Sequence, residues 1–154
     1  MERPLHFRRP VGRPKGRPLD TAVSARVGEL LDGLPRRPDL LIEALHRVQD
    51  AERHLSPAVI AAIADAFRMA QAEVFEVATF YHHFDVVREG AAPPPALTVR
   101  VCDSISCAMQ GAEGLADALA AGLPADAVRV QRVPCVGRCD RAPVAIVDRH
   151  PVEH

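Results

Sequence analysis

Aromatic side chains are scarce in this 154-residue chain: there is no Trp, one Tyr and five Phe. The core must therefore be assembled from Ala, Leu, Val and Ile. No apolar run approaches the roughly 18 residues that a membrane-spanning helix needs. The N-terminus carries no hydrophobic signal region. These two absences point to a cytoplasmic protein. No phosphate-binding glycine loop, hydride-acceptor site or nucleophile beside its base can be picked out. No catalytic residue is therefore expected, and any catalysis falls to a partner. Cysteine is sparse too, at four residues, and none forms C-x-x-C. A thioredoxin-type thiol enzyme would use that spacing, so this class loses its support.

The formal net charge is only −1, but it is unevenly spread. Arg3, Arg8, Arg9, Arg13, Lys15 and Arg17 crowd the first 17 residues against Glu2 alone, and the remainder is mildly acidic. Pro4, Pro10, Pro14 and Pro18, with Gly12 and Gly16 among them, deny a helix. Residues 1–19 read as a disordered basic arm. Its two Gly-Arg-Pro steps are of the kind that lie in A·T-rich minor grooves. With four thiolates, they give a zinc-stabilised nucleic-acid-binding adaptor as the alternative function. The acidic body argues against nucleic acid. A solvated tail or a docking arm for a protein partner is the simpler reading.

Residues 20–90 read as four helices. Asp20 can cap the first, with Val23, Val27, Leu30 and Leu31 on one face and Gly33 as the stop. The second starts near Pro38 and carries Leu41, Leu45 and Val48 at helical spacing. Ser56-Pro57 opens the third, whose buried face is Val59, Ile60, Ile63, Ala64 and Phe67. The fourth runs from about Gln71 to Thr79, with Val74, Phe75 and Ala78 apolar. Short connections favour an antiparallel bundle. FYHHF, residues 80–84, reads first as a hydrophobic hinge closing that bundle and second as a partner surface. His82 and His83 are adjacent, so an extended backbone would send them to opposite faces and away from a common ion.

GAAPPP, residues 90–95, reads as a linker into a second unit. There TVRV (98–101) is a strand, 111–121 a helix with Leu115 and Leu119 inward, VRVQRV (128–133) a strand and APVAIV (142–147) another. Strand, helix and strand make a βαβ unit with a parallel pair, and the last strand joins the same sheet. After it the chain shows no closing strand or final helix.

All the cysteines lie in this second unit. Cys102 and Cys107 have four residues between them, Cys135 and Cys139 have three, and 27 residues separate the pairs. Each pair follows a β-branched run, so two strand ends can deliver two thiolates each to one inorganic site. A reducing compartment disfavours disulfides. Structural zinc and a [2Fe–2S] centre both accept four thiolates, and the spacing leans only mildly to iron–sulfur. The helix after Cys107 could aim its first-turn N–H groups at that thiolate. Gly137 allows the tight bend between Cys135 and Cys139. Arg138, Asp140 and Arg141 either solvate the loop or tune its charge.

LLIEALHRVQD, EVFEVATFYHHF, CDSISC and CVGRCDRAP occur here in that order. Together they resemble the thioredoxin-like [2Fe–2S] subunit of respiratory NADH dehydrogenase, the 24-kilodalton type, with its relatives in NAD-linked hydrogenases and formate dehydrogenases. The resemblance covers most of residues 38–147. It implies an α+β protein: an N-terminal antiparallel helical bundle (20–90), then a small thioredoxin-like α/β domain (91–154). It implies one [2Fe–2S] cluster held by Cys102, Cys107, Cys135 and Cys139. It further implies an electron-transfer role beside a flavin-bearing NAD(H)-binding subunit or fused domain, with further iron–sulfur subunits in the complex. Any membrane association would be made through that complex. The family usually continues beyond the APVAIV strand, so a further expectation is that this chain is the N-terminal portion of a fused flavoprotein. The basic arm is not required by the family and could reach a neighbouring subunit.

Overall fold

A computed structural model describes residues 16–153. Residues 1–15 of the expected arm, and His154, lie outside the described residues. Four helices come first: α1 (Thr21–Leu30), α2 (Leu41–Glu52), α3 (Pro57–Phe67) and α4 (Gln71–Phe80). Their starts follow the side chains present. Asp20 accepts hydrogen bonds from the N–H groups of Ala22 and Val23 at 2.9 and 3.1 Å. Ser56 Oγ accepts from Val59 N at 3.2 Å, and Glu73 reaches back to the Ala70 N–H at 2.8 Å. Each cap satisfies a donor that the first turn leaves open.

The helices enclose Leu31, Leu45, Val48, Leu55, Ile63 and Phe67. α3 is buried on nearly every side and touches both α1 and α4. α4 buries only Val74 and Ala78, and Phe75 stays about half exposed, against the expectation of an apolar face there. The FYHHF segment divides. Phe84 is buried, while Phe80 is 73% exposed and Tyr81 also faces solvent. His83 packs tilted against His46 and edge-to-face with Phe84, at centroid distances of 4.7 and 5.4 Å. The segment is therefore half hinge and half open surface.

The rest of the chain is β1 (Leu97–Cys102), α5 (Ile105–Met109), α6 (Ala112–Gly122), β2 (Val128–Val133), β3 (Ala145–Val147) and β4 (His150–Val152). The strands form one sheet in the order β2-β1-β3-β4. β1 and β2 are parallel, as a βαβ unit requires, and β3 and β4 add antiparallel. β4 corrects the reading that nothing closes the sheet. Two features hid it. Pro151 weakens any strand assignment except at an edge. The turn before it is made by Asp148 at φ 55 rather than by glycine. This is the α+β architecture expected from the motifs: helices, then a small thioredoxin-like sheet unit.

A polar network joins the helices to the sheet. Asp85, 11% exposed, pairs with Arg129 from β2 and lies 3.6 Å from Arg100 of β1. Its backbone N–H donates to Gln49 Oε1 at 3.0 Å. Arg100 Nε donates to the His82 carbonyl at 2.8 Å. Arg149, after β3, pairs with Asp50 of α2. None of these partners shares a local sequence pattern, so the network could not be anticipated.

Candidate metal centre

The parallel register puts Cys102 beside Val133, so β1 and β2 end side by side. Cys135 follows two residues later. Cys102 N donates to the Val144 carbonyl at 3.1 Å, which brings the approach to β3 to the same edge. Both cysteine pairs therefore arrive at one end of the sheet.

Cys102 and Cys107 are buried, whereas Cys135 and Cys139 are exposed. Cys107 lies inside α5, not at the mouth of the helix that follows. A backbone group of Val144 also acts on its sulfur. Cys135 Sγ and Cys139 Sγ stand 3.5 Å apart. Two thiolates on one tetrahedral metal, each bonded at about 2.3 Å, would be separated by roughly 3.7 Å. Cys102 interacts with Cys107, Cys135 and Cys139, so all four sulfurs share one neighbourhood.

The thiols differ in acidity. Burial, the largest influence, pushes Cys107 up. Cys135 is held below its ordinary value, first by the Gly137 N–H and then by the Cys139 thiol. Cys139 is raised by the neighbouring Cys135. Gly137 sits at φ 79 and donates to Cys135 Sγ at 3.4 Å. A side chain there would strain the backbone that presents this donor. The donor set is all thiol and already partly hydrogen-bonded, as an iron–sulfur ligand loop requires. Among the described residues, no three His, Cys, Asp or Glu side chains are placed to hold a single ion. Cys102 links Cys107 to the Cys135–Cys139 pair, and four thiols in one neighbourhood suit a [2Fe–2S] centre.

Two features went unread in the sequence. A groove of about 820 Å³ runs from Phe80, Tyr81 and His82 to Pro134, Cys135 and Val136. Ile105 and Met109 of α5 are each 80% exposed beside the buried Cys107. Exposure of this kind depends on tertiary packing. No described helix is long and apolar enough to cross a membrane.

Comparison with known proteins agrees with this geometry. The chain is 30% identical over 147 residues to an NADH-quinone oxidoreductase subunit of Mycobacterium bovis, covering 89% of this chain and 56% of that protein. It is 34% identical over 119 residues to a second NADH-quinone oxidoreductase subunit, from Thermus thermophilus, covering 72% and 63%. It is 26% identical to an NADP-reducing hydrogenase subunit of Solidesulfovibrio fructosivorans, covering 87% and 80%. The chain thus spans little more than half the length of the mycobacterial relative. Among solved structures, an air-oxidised NAD⁺-reducing [NiFe]-hydrogenase matches with a TM-score of 0.56 and 25% identity, over 74% of this chain and 20% of that one. The family model for thioredoxin-like [2Fe-2S] ferredoxin matches residues 27–154. These relatives indicate a [2Fe–2S] cluster as the cofactor, and the chain belongs to the thioredoxin-like [2Fe-2S] ferredoxin family.

Proposed function

We propose that this chain is the electron-transfer part of an NAD(H)-dependent oxidoreductase complex of the NADH dehydrogenase, hydrogenase or formate dehydrogenase type. Its cluster would be held by Cys102, Cys107, Cys135 and Cys139, next to the flavin of a partner subunit or fused domain. The observation that carries this reading is the convergence of both cysteine pairs at one sheet edge. Residues 20–90 serve as the helical subdomain and 91–154 as the cluster domain. Of the expected arm, residues 16–19 are described, and there Arg17 pairs with Glu89 and its N–H donates to Gln71 Oε1 at 2.8 Å. A cytoplasmic face, with further iron–sulfur subunits nearby, completes the proposal.

The cluster supplies one-electron storage between two-electron nicotinamide or flavin chemistry and single-electron acceptors. The protein's part is to hold and shield. Cys102 and Cys107 fix the inner side within the core beneath β1 and α6. Cys135 and Cys139 leave the outer side open, where a partner can approach closely enough for electron exchange. The Gly137 N–H offsets charge on the Cys135 sulfur. The groove with Phe80 and Tyr81 reaches Cys135, and it supports a partner seated against the exposed pair.

The test is reduction by NADH under anaerobic conditions, with and without a co-purified flavoprotein. Cluster absorbance should bleach rapidly only when the flavoprotein is present. Equal bleaching by the isolated chain, or none in the assembled complex, contradicts the proposal. Nothing in the sequence relatives supports the nucleic-acid adaptor.

A further inference from the structure

Glu153 follows β4 and is joined to the loop that carries the exposed cysteines. Arg138, inside the Cys135–Cys139 loop, donates to Glu153 Oε1. Arg141, which closes the next turn through its N–H to the Arg138 carbonyl at 3.0 Å, lies 3.9 Å from Glu153 Oε2. One carboxylate thus faces two guanidinium groups, one from within the loop and one from just beyond it. The Glu153 side chain is 23% exposed, against 48% for Arg138 and 61% for Arg141, so the shared anion is the best shielded of the three. Arg141 also has Asp140 at 3.6 Å, whereas no other ion-pair partner of Arg138 is found among the described residues.

The sheet register explains why Glu153 is in reach. Val152 pairs with Ala145, so the next step places Glu153 across from Val144. The Val144 carbonyl accepts from Cys102 N. Glu153 is therefore on the row of the sheet that ends at the cysteines, although 13 residues separate it from Cys139 in the chain.

We propose that Glu153 is a positioning residue for the second cysteine pair. It ties the Cys135–Cys139 loop to the edge of the sheet and neutralises the charge that Arg138 and Arg141 bring to the exposed sulfurs. The inference rests on the cluster reading above and adds a residue that does not touch the metals. Reduction adds negative charge to the cluster, which nearby cations favour and a nearby carboxylate opposes. Removing the carboxylate while keeping its shape should make reduction easier.

The test uses anaerobically purified full-length wild type, E153Q, E153D, R138Q and the double variant R138Q/E153Q. Iron, sulfide, the EPR spectrum of the reduced state and the midpoint potential are measured for each. All are expected to retain iron and sulfide. E153Q should favour reduction about threefold, roughly 28 mV for one electron, and R138Q should oppose it. E153D should lie nearer wild type, and the double variant should fall between the two single ones. The shift should shrink in high salt, because these groups are partly exposed. Should E153Q lose its iron, loss from R138Q as well supports the tie through Arg138. Loss from E153Q with R138Q unchanged in iron and potential overturns it. Wild type with a cluster and E153Q with unchanged potential and spectrum overturns this inference alone. Wild type without iron or sulfide overturns the cluster reading and this one together.

Discussion

The apolar cluster beneath α1–α4 contains Leu31, Leu45, Leu55, Ile63 and Phe67, whereas the one beneath β1–β4 is built from Val99, Val101, Ala112, Ala116, Val144 and the thiols of Cys102 and Cys107. The first is filled by large side chains from four elements. The second is thin, and two of its buried members are the proposed metal ligands. Small apolar units of this kind need a second source of stability. Metal binding is such a source, because its free energy is also folding free energy. The two halves should therefore fail under different treatments.

The largest effect should come from Cys102→Ser. It removes a buried proposed ligand, and iron should be lost. Hydrogen exchange in β1 and β2 should accelerate at least a hundredfold, about 2.7 kcal/mol, with α2 and α3 nearly unchanged. Equal acceleration in both halves would break the comparison. Ile63→Ala is the converse. It should destabilise the helices by roughly 3 kcal/mol and leave the EPR spectrum of the reduced cluster in place. A changed spectrum would show that the halves are not separable in this way.

Asp85→Ala probes the join. It leaves Arg100, buried in β1, without its carboxylate. Breaking a largely buried pair of this kind should cost about 3 kcal/mol or somewhat less, felt by both halves in thermal unfolding. A loss confined to one half would show that the network does not couple them.

The smallest effect concerns pH. His83 is held below its ordinary value, first by burial, then by His46 and Arg100. The unfolded chain therefore binds its proton before the folded one does. Stability from the neutral ring is fully present above about pH 6.5 and falls as pH drops below that value toward the lowered folded pKa. His83→Gln should flatten this dependence in the thermal midpoint between neutral and mildly acid pH. An unchanged slope would remove His83 as its source.

Much of this was legible in the sequence because it is local. Asp20 and Ser56 announce helix starts through capping chemistry, and VRVQRV is an uninterrupted strand. The two cysteine pairs and the strands before them announce a four-thiolate site, while spacing alone leaves zinc and iron–sulfur open. What could not be read depends on residues far apart in the chain. Asp85 meets Arg129 across 44 positions, and Glu153 meets Arg138 across 15. The short α5 around Cys107 has no sequence signal, because it is only five residues long and lacks a side-chain cap. β4 escaped because an edge strand tolerates Pro151 and a turn without glycine. Phe75 looked like core from its type, yet the neighbouring Val74 and Ala78 take the buried face.

Whether Cys102, Cys107, Cys135 and Cys139 together hold one two-iron cluster is tested most directly by iron and acid-labile sulfide analysis of the anaerobically purified chain, beside its four single Cys→Ser variants. Two irons and two sulfides per chain are expected, with a rhombic EPR signal on reduction and loss or marked weakening in every variant. One zinc without sulfide in wild type, or an undiminished cluster in all four variants, would contradict it.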